Sequence, residues 1–530
     1  MTGNRRAPAD FSARLPHLGR RALLFAGILV IGVFARTWEI RSLPPGLNAD
    51  EASIGVEAYD LAHFGVDRNG VSFPVHFIAW GSGQNALYGY LLIPFVAFLG
   101  LSPLVVRLPM ILAGIGSLPL MYFAGRETFG QSAGLFAMFC LAISPWHVLL
   151  SRWGLESNIL PFVFLCAYVC ALLALRRIVW FIPASVLFGL ALYSYGTAYA
   201  AVPVFMLLCV SVLTRQAFVR RRDLAVGSLA FCAVATPIAL FLIVNTFRLP
   251  QIDLGSLTIP RLPAQPRYEE TTLLGQRNVM VGLANNAWTG LGLLVTESDG
   301  IIYNTVPPFG VFYHLLLPAS LLGIGVLIHQ ARRSPQPQHW LLFAWLGAAL
   351  LPAFLQPVNI NRFNIALVPL LICCAGGLGW IGGRFALAVP AMAVVLLAAF
   401  IAFNTTYHGV SYRGQIGQKF HRGLLPALHF AAAESDDALC ITNQINMPYI
   451  FALFSDPMRP ASFLETVRYE DPQAPFRQVL SFSRYVFGSH NCLGASPYTY
   501  VLTTAEIPPR LGNRYSYRFF DDFVAYYPRR

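Results

Sequence analysis

An acidic pair, Asp50-Glu51, sits in the stretch Pro44-Pro-Gly-Leu-Asn-Ala-Asp-Glu-Ala52, just past the first long apolar run of a chain poor in acid. Carboxylates at a membrane face carry a free-energy cost that function commonly explains. A second acid, Glu156, ends the stretch Ser151-Arg152-Trp-Gly-Leu-Glu156 in a later loop. Two carboxylates facing one cleft suit general-base chemistry or the holding of a divalent ion, Mg²⁺ or Mn²⁺, by Asp50 and Glu156. Neighbouring residues on a helix point about 100° apart, so one acid of the pair faces the cleft while the other supports it. Spacing alone fits a second reading equally well. Asn48 or Asp50 would cap a helix over 51–63, whose N-terminal end favours acids.

Four arginines, Arg36, Arg107, Arg152 and Arg362, fall at the same membrane face as the acids. The planar guanidinium suits a phosphate; the alternative is snorkelling toward lipid headgroups. Arg152 and Glu156 are four apart and would pair if helical. His76 and His147 are open to titration or to structural bonding. Trp80, Tyr88, Trp146 and Trp153 fit an interfacial aromatic belt or a sugar-stacking surface. Asp67-Arg68-Asn69-Gly70 reads as a turn. No His/Glu spacing of the zinc type occurs, and neither a repeat nor a phosphate-binding glycine loop is apparent.

These residues need a scaffold, and composition says which. Of 530 residues 56% are hydrophobic and only 12% charged. A soluble domain carries roughly 25% charge, so the chain reads as a polytopic α-helical membrane protein. Its formal charge of +12 does not indicate nucleic acid, because the arginines gather in short loops between apolar runs. Lys419 is the single lysine. Apolar runs predict about eleven spans, near 20–40, 104–124, 132–150, 158–175, 178–196, 198–213, 224–244, 309–328, 340–356, 363–381 and 386–403. The first run lacks a small-residue cleavage site and is expected to stay as a helix.

The segment 86–100 is short and carries Pro94. Charge parity decides its placement. Arg5, Arg6, Arg14, Arg20 and Arg21 put the N-terminal tail, 1–19, in the cytoplasm. If 86–100 lies in the interface, Arg126, Arg176-Arg177, Arg215, Arg220-Arg221-Arg222, Arg332-Arg333 and Arg384 also fall inside. Residues 41–103 then form a first outer loop with a membrane-lying helix, and Asp50 and Glu156 share the outer side. The membrane domain covers 20–403. A long outer loop is expected over 245–308, with Glu269-Glu270, Glu297 and Asp299, and an extracytoplasmic domain over 404–530. That tail reads as α/β or α+β, with a helix over 420–433, a strand over 438–443, a short helix near 448–454 and strands near 499–504 and 521–527. Cys140, Cys166, Cys170, Cys209, Cys232, Cys373 and Cys374 lie in apolar runs as small hydrophobes. Cys440 and Cys492 lie in the polar tail and are open to disulfide formation outside the cytoplasm.

Several stretches together resemble the GT-C superfamily of polyprenyl-phosphate-sugar glycosyltransferases, in its bacterial protein O-mannosyltransferase and aminoarabinose-transferase group. They are Pro-Pro-Gly-Leu-Asn-Ala-Asp50-Glu51-Ala, Val106-Arg107-Leu-Pro109, Ile143-Ser-Pro-Trp-His147 through Ser151-Arg152 to Glu156, and Asn361-Arg362-Phe-Asn364. The resemblance covers about 30–405 and is densest in the first two hundred residues. It implies a GT-C-type bundle with outer-face juxtamembrane helices, in the bacterial inner membrane. It also implies a first-loop acid as catalytic base, which falls on Asp50, and a second-loop acid, often Asp, which falls on Glu156. Relatives often carry a basic residue and prolines ahead of the membrane-lying helix. This chain has Gly81-Ser-Gly-Gln-Asn-Ala-Leu-Tyr88 there instead.

The expected reaction moves a sugar from a polyprenyl-phosphate donor to a hydroxyl on a lipid, glycan or protein acceptor. Asp50, Glu51 and Glu156 are the candidate catalytic acids. Arg36, Arg107, Arg152 and Arg362 are candidates for the donor phosphate, and His76, Trp80, Gln84, Asn85 and Tyr88 for substrate contacts. Membrane lipids are the other expected partners. Two alternatives remain at the sequence level: a lipid-linked-glycan binder without transfer, and a transporter. Transporters commonly carry repeats and acids near the bilayer midplane, and the sequence offers neither.

Overall fold

The computed structural model describes residues 15–215, 220–264, 273, 278–492, 498–506 and 515–529. Arg5, Arg6, Arg14, Glu269 and Glu270 lie outside them. The described helices are α1 (Leu15–Thr37), α2 (Ala49–Phe64), α3 (Leu87–Leu99), α4 (Pro103–Phe129), α5 (Gln131–Ile143), α6 (Pro145–Ser151), α7 (Glu156–Ala174), α8 (Phe181–Ala191), α9 (Ala198–Arg215) and α10 (Arg221–Thr246). They continue with α11 (Val279–Thr296), α12 (Leu316–Arg333), α13 (Pro337–Leu355), α14 (Ile360–Arg384) and α15 (Ala388–Tyr407). The chain is a multi-pass membrane protein. Six described helices are long and apolar enough to cross a bilayer, or seven if α5 and α6, bent by 63° at Ser144-Pro145, count as one span. The expected eleven is therefore not reached on length and apolarity alone. Helices α8 and α9 are apolar but short.

Helix α11 falls inside the stretch expected as an outer loop, and it passes the same test. Its attachments argue against a crossing. Ahead of it, the Leu273 amide bonds the Leu355 carbonyl at the end of α13. From its middle, Asn286 donates to the Phe354 carbonyl at 2.9 Å. Beyond it, Asp299 accepts the Ile360 amide at the start of α14. All three ties are at the end of the bundle that carries Asp50. Trp288, Leu291 and Val295 leave an exposed apolar stripe, as in a helix lying in the interface.

At the opposite end Arg176 pairs with Glu127 at 2.5 Å and Arg126 with the same acid at 2.7 Å. Helix α14 runs through the centre of the bundle, buried nearly throughout from Phe363 to Leu378. Gly323 and Gly377 let α12 pack on α14 backbone to backbone, since a Cβ on Gly323 would sit 1.7 Å from the Cys373 carbonyl oxygen. Helix α3 is short and carries Pro94, and its Phe98 and Leu99 are exposed.

The tail opens with helices Val410–Lys419 and Leu424–Glu434 and then folds around a seven-stranded mixed sheet. Strands β1 (His76–Phe77) and β2 (Gln84–Asn85), and β3 (Ile252–Asp253) and β4 (Thr258–Ile259), are two short antiparallel pairs ahead of the tail. In the tail, β5 (Leu439–Ile441), β6 (Arg468–Tyr469), β7 (Val479–Phe482), β8 (Tyr485–Phe487), β9 (Thr499–Thr503), β10 (Tyr515–Phe520) and β11 (Phe523–Pro528) run in the order β10-β11-β9-β5-β8-β7-β6. Strand β5 is parallel to both neighbours and buried at every residue. Two short helices, Pro448–Ser455 and Pro460–Thr466, pack on β8 and β7 respectively, the first also against α2. Cys440 of β5 is bridged to Cys492.

Candidate active site

Helix α2 begins with a capping box. The Asn48 side chain accepts the Asp50 amide at 2.8 Å, and Glu51 reaches back to the Asn48 amide at 3.3 Å. This reciprocal arrangement fixes the first turn and sends the two acids different ways. Glu51 turns inward and is fully buried. It meets Arg107 of α4 through two bonds of 2.9 Å and accepts the Gly154 amide at 2.9 Å. Asp50 turns to the cleft, where the Trp80 indole N–H donates to its Oδ1 at 3.0 Å. Asn48 is thus the cap, Glu51 completes it from a buried position, and Asp50 is left partly exposed. Burial raises the Asp50 pKa above its ordinary value; the Trp80 bond opposes that and Glu51 adds to it.

Glu156 opens α7, where the helix N-terminus favours a carboxylate. It accepts the Asn85 backbone amide, and the Asn85 side-chain oxygen accepts the Tyr199 hydroxyl at 2.8 Å. Asp50 lies within electrostatic range of Glu156. Both acids are partly exposed, in contrast to Glu51. Strands β1 (His76–Phe77) and β2 (Gln84–Asn85) pair as a small hairpin that carries these donors. Gln84 donates to the Asp50 carbonyl at 3.3 Å. The hairpin turn needs glycine at 83. Its φ is +82°, and a Cβ there would stand 2.6 Å from the Phe77 carbonyl oxygen.

The arginines divide three to one. Arg107 also donates to the carbonyls of Pro44 at 2.7 Å and Gly46 at 2.9 Å, so its guanidinium is fully committed. Arg152 is fully buried and donates to the carbonyls of Ala35, Trp38 and Leu43. It does not pair with Glu156, because the chain leaves helix at Arg152 and the four-residue spacing loses its common face. Arg36, equally buried, bonds the carbonyls of Gly32, Leu141 and Ala142 and meets His147 at 2.7 Å. The expectation that these three hold a phosphate is corrected: each clasps backbone inside the protein. Arg362, near the start of α14, is partly exposed: it donates to the Pro357 carbonyl at 2.9 Å and lies beside the Tyr195 hydroxyl, which is within electrostatic range of both acids.

Two expected substrate contacts are also placed elsewhere. His76 is buried, stacks on Phe241 at 4.2 Å and is pushed down to about 4 by burial, so it is neutral at pH 7. Tyr88 is fully buried and bonds the Val106 carbonyl. Trp146 and Trp153 are buried as well, which removes them from a lipid-facing belt. Trp80, Gln84 and Asn85 stand beside the acids: Trp80 bonds the Asp50 carboxylate, Gln84 the Asp50 carbonyl and the Asn85 amide Glu156. Sequence reasoning missed Tyr195, Tyr199 and Tyr303, all grouped about the acids. The available signal was three tyrosines, Tyr193, Tyr195 and Tyr199, around Gly196 at the joint between two apolar runs.

Among the described residues no group of three or more His, Cys, Asp or Glu side chains could hold a metal. Asp50 and Glu156 alone are two carboxylates. They lie within electrostatic range of each other and are one side chain short of such a group.

Residues 85–241 match the family model described as dolichyl-phosphate-mannose-protein mannosyltransferase. The chain is 33% identical over 116 residues to the putative mannosyltransferase YycA of Bacillus subtilis (strain 168), a stretch covering 21% of this chain and 17% of that protein. It is 33% identical over 105 residues to YkcB of the same organism, 19% and 15% of the two chains. The alignments thus span less than a fifth of either curated relative. Among solved structures, ArnT from Cupriavidus metallidurans bound to undecaprenyl phosphate superposes with a TM-score of 0.56 at 14% identity, over 96% of this chain and 98% of that one. The oligosaccharyltransferase AglB from Archaeoglobus fulgidus, in complex with an inhibitory peptide and a dolichol-phosphate, gives 0.50 at 15% identity, over 82% and 64%. The likeness to solved structures is one of fold, and together these matches bear out the resemblance to the GT-C superfamily.

Proposed function

We propose that this protein is an integral-membrane glycosyltransferase that moves a sugar from a polyprenyl-phosphate donor to an acceptor hydroxyl at the extracytoplasmic face. The observation that carries the reading is the pair of partly exposed carboxylates, Asp50 and Glu156, within electrostatic range of each other and each held by an N–H donor of the same hairpin. The family match to mannosyltransferases and the bound polyprenyl phosphates of the two solved relatives support the donor class.

The acceptor hydroxyl gives its proton to Asp50 as its oxygen attacks the anomeric carbon. The bond from that carbon to the phosphate oxygen breaks, and the electron pair leaves with polyprenyl phosphate. Such general-base help is worth roughly 10²–10⁴ in rate. A phosphate leaving group needs charge stabilisation more than a proton. Arg362 and the neutral Tyr195 hydroxyl beside it are the groups nearest for that task. Glu156, fixed by Asn85, orients the acceptor. A single displacement inverts the anomeric centre. Asp50 and Glu156 would also hold a divalent ion such as Mg²⁺ or Mn²⁺, whose chemistry there would be to neutralise phosphate charge. The orientation with the site outside the bacterial inner membrane draws support from Arg126 and Arg176 at the opposite end.

The test uses full-length protein in nanodiscs with a panel of polyprenyl-phosphate sugars, beginning with mannose, and measures polyprenyl phosphate release with candidate lipid, glycan and peptide acceptors. Asp50→Asn is expected to lower turnover by about 10²–10⁴ while leaving donor binding intact. Turnover equal to wild type in that variant would end the assignment of the base. Donor binding without release from the wild type under every acceptor would replace transfer with binding alone.

A further inference from the structure

The hairpin that carries Trp80, Gln84 and Asn85 is not held only by the membrane domain. The Gly81 amide donates to the carbonyl of Pro475, in the C-terminal domain, at 2.8 Å. Arg477 of the same segment donates to Asn69 at 3.2 Å, and Asn69 in turn donates to the Ile78 carbonyl at 2.8 Å. A second set of contacts runs through Arg68. Its guanidinium lies 5.5 Å from the Trp80 ring and 5.9 Å from the Tyr449 ring of the C-terminal domain. Arg68 is itself fixed by Glu57 at 3.3 Å and by Ser53 at 2.7 Å, both on α2. Aromatic rings attract cations over their faces, so Tyr449, Arg68 and Trp80 form a continuous stack. It ends at the Asp50 carboxylate, which Trp80 bonds at 3.0 Å.

We infer that the C-terminal domain is a positioning element of the active site: Pro475 and Arg477 hold the hairpin turn, and the Tyr449–Arg68–Trp80 stack holds the indole N–H on Asp50. The inference rests on the assignment of Asp50 as the base. None of these C-terminal groups is placed to touch a reacting atom; they act through Trp80. The domain would thereby set where the Asp50 carboxylate stands, in addition to any part in acceptor choice.

The charged and titratable groups facing Asp50 are Glu51 beside it, Glu156 from α7, Tyr195 from the α8–α9 turn and Tyr303 from the segment ahead of α12. Arg362 reaches it through Tyr195. None of these lies on the C-terminal domain, so a change made at Arg477 reaches Asp50 through the hairpin rather than by direct charge. Loosening Trp80 therefore frees the Asp50 carboxylate from the position that the indole N–H gives it.

The experiment compares wild type, Arg477→Ala, Arg477→Lys, Trp80→Phe and Asp50→Asn in nanodiscs. Polyprenyl-phosphate mannose is the probe, and hydrogen exchange is measured on the same samples. Arg477 is partly exposed, so its removal leaves the fold in place, and thermal unfolding checks this. Arg477→Ala is expected to speed exchange of the 78–86 amides at least tenfold, with α2 amides unchanged and partial recovery in Arg477→Lys. Trp80→Phe keeps the stacked ring but loses the N–H. It is expected to lower kcat roughly tenfold with the donor KM unchanged, with Arg477→Ala moving kcat in the same direction. Unchanged exchange over 78–86 in Arg477→Ala overturns the inference whatever the activity. An unmoved kcat in Trp80→Phe, with Asp50→Asn inactive, overturns it while leaving the base intact. Full activity in Asp50→Asn instead overturns the functional reading, and the positioning role falls with it.

Discussion

Asp50 and Glu51 are neighbours in sequence and opposites in environment. Glu51, bonded at both oxygens by Arg107 and by the Gly154 amide, joins α2, α4 and the loop before α7. Breaking such a buried pair leaves an uncompensated charge and costs about 3–5 kcal/mol. Glu51→Gln or Arg107→Leu should therefore lower the unfolding temperature and the yield of folded protein. Arg362→Ala should leave the unfolding temperature unchanged and weaken polyprenyl phosphate binding roughly tenfold, the size expected for one charged hydrogen bond to a ligand. Competition binding and a thermal melt on the same preparations separate the two behaviours. The residue types of the site were legible in the sequence. What spacing cannot carry is which polar group spends its bonds inside the protein. Arg107 and Arg362 look alike as arginines beside apolar runs, and only the placement of Pro44, Gly46 and Glu51 around one of them tells them apart.

At the scale of elements, the hydrophobic pattern located most helices, since an apolar run must satisfy its backbone within a helix when no water is near. The helix at Leu424–Glu434 and the strands at Leu439–Ile441 and Thr499–Thr503 lie where alternation and turn residues put them. Strands β6, β7, β8 and β10 were not seen, because two to six residues beside aromatic-rich loops give little period to read. Helix α11 was hidden for another reason. Its length and apolarity resemble those of a span, while its place is set by three hydrogen bonds to distant ends of α13 and α14. A spin label on Trp288→Cys should accordingly be quenched by reagents at headgroup depth and not by those at the bilayer centre. A label quenched at the centre would make α11 a crossing helix.

For the whole molecule, the membrane bundle and the C-terminal domain meet over α2 and the site hairpin, and the disulfide Cys440–Cys492 closes a loop of 52 residues within that domain. Closing a loop of that size is worth about 4 kcal/mol in the chain-entropy account. Cys440→Ser with Cys492→Ser should lower the unfolding temperature of the C-terminal domain by several degrees while the membrane helices keep their circular dichroism. Equal melting of both forms would show that the bridge adds nothing. The sequence offered the two cysteines in a polar tail, whereas the mixed sheet that brings them together depends on pairing between distant strands.

The clasps made by Arg36 and Arg152 carry a consequence for how this architecture endures. Between them they grip six main-chain carbonyls, at Gly32, Ala35, Trp38, Leu43, Leu141 and Ala142. A carbonyl is present whatever amino acid bears it. The joints between α1, the loop after it and α5 are therefore indifferent to most replacements at the positions they hold, so long as the two guanidiniums remain. A scaffold knotted in this way can lose nearly all textual likeness to its relatives and keep its shape, as the overlap at 14% identity illustrates.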